Sequence, residues 1–189
     1  MADVRITSTD GREAVIAGAA VEDFRSKLLG RLVLMGDPGY DEIRALWNGM
    51  IDRRPALIAR CAGTADVISC VKFAREHKIL VSVKGAGHNI AGMASSNGSL
   101  MIDLSQMKSV RVDPKARMAW VGPGATLRAM DHETQAFGLA TPLGINSTTG
   151  VGGLTLGGGF GWTSRSLGLT IDNLVSADVV TAEGKLLRA

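Results

Sequence analysis

Apolar and polar positions along this 189-residue chain follow two periods. A helical spacing runs through residues 13–29 and stops at Gly30. It recurs over residues 40–50, with Ile43, Leu46 and Trp47 on one face. Between them, Gly36-Asp37-Pro38-Gly39 is a strong turn signal. Residues 1–12 are mostly polar and read as a loose lead-in. Residues 55–59 are a short apolar run, expected as a buried strand. Thr64 then opens a helix, capping it, with Asp66 in the first turn and Arg75, His77 and Lys78 at its end. Ile68, Val71, Phe73 and Ala74 supply its inner face. Strands are expected at 80–84, 99–104 and 118–121, and a helix at 126–137 that Gly138 stops. Residues 175–181 and 185–187 read as a closing hairpin around Glu183-Gly184. Strand–helix–strand followed by hairpin-like pairs makes an α+β domain.

Composition narrows the class. Hydrophobic residues are 46% and charged residues 21%, with a mean hydropathy of +0.16. These values exclude disorder, collagen, coiled coil and a disulfide scaffold. The net charge is +3 and the basic residues are scattered, so no nucleic-acid partner is indicated. No apolar stretch approaches the ~18 residues of a membrane span, and the N-terminus lacks a secretory pattern. A cytoplasmic protein with no membrane partner is expected. Cys61 and Cys70 fit no zinc or redox spacing and read as small buried apolar residues. No metal site is expected.

Glycine is the outlier, at 24 of 189 residues. It concentrates in two segments, Gly85-Ala86-Gly87-His88-Asn89-Ile90-Ala91-Gly92 and residues 144–161. Glycine lets backbone approach a ligand closely, and successive free N–H groups form nests for phosphate oxygens. A strand feeding Gly85–Gly87 is a suitable context for a pyrophosphate cradle. The P-loop signature fails because Gly184-Lys185 is followed by Leu186. The dinucleotide fingerprint fails because its third glycine position is Ile90 in the first segment and Thr155 in the second. The residues alone leave a phosphate-binding domain of another kind open.

A strand running into Gly-x-Gly-His-Asn-x-x-Gly, then Gly-Val-Gly-Gly-x-x-x-Gly-Gly-Gly-Phe-Gly some sixty residues on, resembles the FAD-binding PCMH-type domain of the vanillyl-alcohol oxidase superfamily. The nearest branch is the berberine-bridge-enzyme-like oxidases. Tyr40, Trp47-Asn48-Gly49 and Arg53-Arg54-Pro55-Ala56 also resemble bacterial members. The resemblance implies two α/β subdomains, an N-terminal extension with a helix over residues 1–36, and a FAD-binding domain over 37–189. That domain is expected to be incomplete at its C-terminus, with the substrate domain absent.

The resemblance also implies the site. Lys84, Gly85, Ala86, Gly87, His88 and Asn89 match the loop that holds the pyrophosphate. His88 matches the histidine bonded covalently to the 8-methyl carbon of the flavin. Thr148, Thr149, Gly150, Val151, Gly152, Gly153, Gly157 and Gly158 match the loop beside the flavin ring and pyrophosphate. A second covalent link through cysteine is not expected, because that position is Asn146. A histidine of some members is Leu154 here. The implied activity is that of a flavin-dependent oxidoreductase, passing hydride from a small-molecule substrate to flavin N5 with dioxygen as acceptor. The alternative is a non-catalytic flavin-binding unit that self-associates or needs a C-terminal partner chain. No catalytic acid or base is assigned.

Overall fold

The computed structural model describes residues 2–189. Its chain forms β1 (Val4–Thr7), β2 (Glu13–Ile16), α1 (Gly18–Ser26), β3 (Arg31–Leu34), α2 (Tyr40–Arg44), β4 (Leu57–Arg60), α3 (Thr64–Glu76), β5 (Val81–Lys84) and β6 (Leu100–Asp103). A second lobe follows, with β7 (Val110–Asp113), β8 (Met118–Val121), α4 (Leu127–Gln135), α5 (Val151–Leu156) and α6 (Ser164–Leu167), after which the hairpin of β9 (Asp178–Val180) and β10 (Leu186–Arg188) returns to pack on α3.

A four-stranded sheet in the order β3-β4-β6-β5 organises the first lobe. β3 lies antiparallel to β4, while β4, β6 and β5 run parallel. Leu57, Ile58, Leu100, Met101 and Ile102 are buried, as befits strands covered on both faces. One face carries α1 and α3, whose Phe24 and Phe73 rings stack with centroids 4.1 Å apart. On the other face, Val33, Ile58 and Met101 pack with Tyr40 of α2. In the second lobe, Ala125, Leu127, Leu143 and Val151 form a smaller core with Val110, Val121 and Leu154.

Several expected elements differ. Residues 1–12 are not a loose lead-in: β1 and β2 form an antiparallel hairpin, and alternation at Val4-Arg5-Ile6-Thr7 buries Ile6. The helix expected over 13–29 begins only at Gly18, because Glu13–Ile16 pair with β1 instead. β3 was hidden between that helix and the turn at Gly36. The helix over 40–50 ends at Arg44, where Ala45 turns extended. Thr64 is the first residue of α3 rather than its cap, which is Gly63.

Asp66 in that first turn has a larger role. It is buried, and its carboxylate accepts the main-chain N–H groups of Leu29, Gly30 and Ala62 at 2.8–2.9 Å. This ties the start of β3 and the loop after β4 to α3. The strands at 80–84, 99–104 and 118–121, the 126–137 helix and the closing hairpin all form, with small shifts of their ends. Cys61 and Cys70 are buried as expected, with sulfurs 3.8 Å apart.

Candidate functional site

The parallel strands fix the position of the first glycine segment. Arg60, Lys84 and Asp103 end β4, β5 and β6 in register, so their three following loops leave one edge of the sheet. Ligands of open parallel sheets sit outside these carboxyl ends. The segment from Gly85 leaves the end of β5 there and returns as β6 at Leu100.

Its path is held from outside. The Lys84 ammonium donates to the carbonyl oxygens of Ile43 and, at 2.9 Å, Ala45. Burial pulls the Lys84 pKa below the ordinary lysine value, and nearby Asp103 opposes this. Trp47 N–H donates to Gly87 O at 3.1 Å, and Asn48 Nδ2 to Ile90 O at 2.9 Å. The Arg53 guanidinium donates to Gly92 O at 2.7 Å and Ser95 O at 2.8 Å. Asn89 Oδ1 accepts from Met93 N–H, closing a local turn. Gly87 has φ +74°, a conformation that suits glycine.

All these tethers use carbonyls or side chains. Among the described residues, none of the successive main-chain N–H groups from Gly85 to Ala91 has a hydrogen-bond acceptor in the chain. Buried or half-buried N–H groups are normally paired. Gly85 to His88 are buried or half-buried and still free, the donor array that an anion such as a pyrophosphate requires.

The second segment is placed by the start of two helices. Val151 N–H donates to Ala125 O and Leu127 N–H to Thr149 O, both at 2.9 Å, and Thr126 and Gly150 form a bridge. The glycine run expected as a loop coils into α5 from Val151, and Gly157 ends it. Gly150 comes against the first segment, beside Ala86. A Cβ on Gly85 or Gly152 would meet the same Pro123 oxygen, at 3.2 and 3.3 Å. Gly152 and Gly153, in the first turn of α5, also lack main-chain acceptors among the described residues. Gly157 and Gly158 lie at the other end of α5, where Gly158 O accepts from Ile171 N–H. The structure therefore does not bring these two to the histidine.

His88 sits where the segments meet. Its Nε2 is 2.9 Å from Thr148 Oγ1 and its Nδ1 is 3.5 Å from Thr149 Oγ1. The Trp47 ring stacks on the imidazole, with centroids 5.2 Å apart and 23° between planes. Burial lowers the His88 pKa below its ordinary value, and the Thr148 main chain partly offsets this. The ring is therefore neutral at pH 7.

Comparison with known proteins places this geometry. A family model described as "FAD binding domain" matches residues 55–189. The chain belongs to this FAD-binding family. (R)-6-hydroxynicotine oxidase of Paenarthrobacter nicotinovorans is 35% identical over 158 residues, covering 84% of this chain and 34% of that protein. Berberine bridge enzyme-like 27 of Arabidopsis thaliana is 36% identical over 139 residues, covering 71% of this chain and 26% of its own. A crystal structure of 6-hydroxy-D-nicotine oxidase from Arthrobacter nicotinovorans superposes with a TM-score of 0.84 at 34% identity. It covers 86% of this chain and 36% of that one. The chain thus spans about a third of the length of the relatives it matches.

The FAD-binding reading fits the residues present. The free N–H run supplies phosphate donors, and the neutral imidazole beside it carries a nucleophilic lone pair. Sequence reasoning assigned Trp47, Asn48 and Arg53 no role in the site. Their only signal was the resemblance of their own segment to bacterial members. Among the described residues, no helix is long and apolar enough to cross a membrane.

Proposed function

We propose that this chain is the FAD-binding portion of a flavin-dependent oxidoreductase, with FAD attached covalently through His88 alone. The observation that carries the reading is the free N–H run from Gly85 to Ala91 with the neutral imidazole of His88 inside it. Gly85, Ala86, Gly87 and Asn89 would hold the pyrophosphate through main-chain donors, with Gly152 and Gly153 adding to them from the facing segment. Lys84 supports the loop from behind, through its two carbonyl contacts. Thr148 and Thr149 hold the imidazole, and Gly150 and Val151 seat the second segment against the first. When bound, FAD supplies the redox chemistry, taking hydride at N5 from a small-molecule substrate and passing electrons to dioxygen. Asn146 offers no thiol for a second link.

A second reading, a flavin-binding unit that acts with another polypeptide or its own copies, is favoured by one feature. Leu156, Phe160 and Trp162 are exposed at and just beyond the end of α5, and Trp162 is 87% exposed. Large exposed apolar groups in one region mark association surfaces.

The purified chain, loaded with FAD and denatured in acid, separates these readings. Flavin absorbance that stays with precipitated wild type and leaves His88→Ala supports the covalent site. Flavin that leaves both removes the covalent link. Bound flavin with turnover only beside added polypeptide favours the second reading, and failure to bind FAD at all overturns both.

A further inference from the structure

The hydrogen bonds around His88 determine which ring nitrogen holds its proton. Thr148 N–H donates to Asn146 Oδ1 at 3.0 Å. A main-chain N–H requires an acceptor, so this atom is the amide oxygen and not the amide nitrogen. Thr148 Oγ1 lies 2.8 Å from the same oxygen, which can only accept, so the hydroxyl donates its one proton there. The hydroxyl then faces His88 Nε2, at 2.9 Å, with lone pairs only. Nε2 must carry the hydrogen. A neutral imidazole has one N–H, so Nδ1 holds the free lone pair.

We propose that Asn146 and Thr148 are positioning residues that lock His88 in the Nε2–H tautomer and make Nδ1 its nucleophilic nitrogen. The inference rests on the covalent reading for its consequence, though not for its geometry. Thr149 Oγ1, 3.5 Å from Nδ1, is a hydroxyl able to donate weakly to that lone pair without removing it. Trp47, stacked on the ring, opposes a flip that would put ring carbons in place of the two nitrogens.

In the proposed link, the Nδ1 lone pair forms the bond to the flavin methyl carbon. One methyl C–H bond breaks, its proton goes to solvent and its electron pair remains on the flavin, from which dioxygen removes it. The proton stays on Nε2, hydrogen-bonded to Thr148 Oγ1 throughout, so the ring's developing positive charge meets an oxygen already oriented to receive N–H. Asn146, at the position where some family members carry a second covalent anchor, would thus act through hydrogen bonding.

The test is histidine-ring nitrogen NMR on the flavin-free chain, about a pH unit above the ordinary imidazole pKa of ~6.5. The sequence contains three histidines, and a His88→Gln difference spectrum assigns the signal. Wild type is expected to show a protonated, pyrrole-like Nε2 and a pyridine-like Nδ1. Thr148→Val and Asn146→Ala should each pull the two resonances toward a common average. Thr148→Ser, which keeps the hydroxyl, should restore the wild-type pair. An Nδ1–H tautomer in wild type, or an unchanged pair in Thr148→Val, would overturn the proposal. The same proteins are then incubated with FAD in air, and acid-stable flavin is measured. Its absence from wild type with the Nε2–H tautomer intact would overturn the covalent reading and leave the tautomer assignment standing.

Discussion

Gly150 faces Ala86 across a gap that a methyl group would overfill. A Cβ on Gly150 would stand 3.1 Å from both the Cβ and the N of Ala86. Two segments sixty residues apart touch through backbone, and the imidazole of His88 meets Thr148 beside that contact. Gly150→Val is therefore expected to push them apart, at a cost of about 1–3 kcal/mol in overpacking. Urea unfolding measures the loss of stability. Acid-stable flavin should fall further than that loss explains, because the threonines leave the ring.

Arg53 holds the outer half of the first segment through three carbonyl oxygens, those of Gly92 and Ser95 and, more weakly at 3.4 Å, that of Ala91. Arg53→Met keeps the aliphatic stem and removes all three contacts. A hydrogen bond to a charged group contributes about 1.5–3 kcal/mol. FAD binding to the His88→Ala background, followed by flavin fluorescence, is expected to weaken at least tenfold. Unchanged affinity would mean that the loop keeps its shape without the guanidinium.

Asp66 closes three main-chain donors from two loops inside the first lobe. Asp66→Ala strands those donors in a buried place, and the expected cost is about 3 kcal/mol or more. The effect should appear as a lower denaturation midpoint with no selective change in the flavin site.

The lowered pKa of His88 sets the direction of a pH effect. Below its folded value the ring is charged and has no lone pair, and above it the lone pair is free. The rate of covalent flavin incorporation should rise with pH and pass its half-maximum below the ordinary imidazole value of ~6.5. The same shift links to folding. The unfolded ring takes a proton at higher pH than the folded one, so the contribution to stability is complete above ~6.5 and is lost as pH falls through the folded pKa. His88→Gln should flatten the unfolding profile across that window. A half-maximal rate above ~6.5 would contradict the assignment.

Strands with continuous apolar runs, such as β4 and β6, were legible in the sequence because burial on both faces leaves a plain signature. β3 was not, because Arg31-Leu32-Val33-Leu34 sits between a helix pattern and a turn and is only four residues long. The β1–β2 hairpin was missed because half of each strand is polar. His88 and both glycine segments were visible as motifs, yet their meeting was not. It depends on Pro123, Ala125 and Thr126 carrying the second segment back to Ala86, and no local pattern encodes that return. Trp47 was read as one face of a helix that the structure ends at Arg44. Its contact with the imidazole arises because the chain turns extended at Ala45.

The separation of His88 from Thr148 orders events during synthesis. The sheet that carries His88 is complete once Asp103 has left the ribosome, and its strands pair with nothing later in the chain. The histidine is then mounted on a finished framework, but its threonines are still unmade. Domains fold as units while the chain grows. The imidazole therefore waits with neither tautomer enforced until the segment after Gly144 emerges, and cofactor capture becomes a late step. On the covalent reading, a chain stalled between these points would carry no acid-stable flavin.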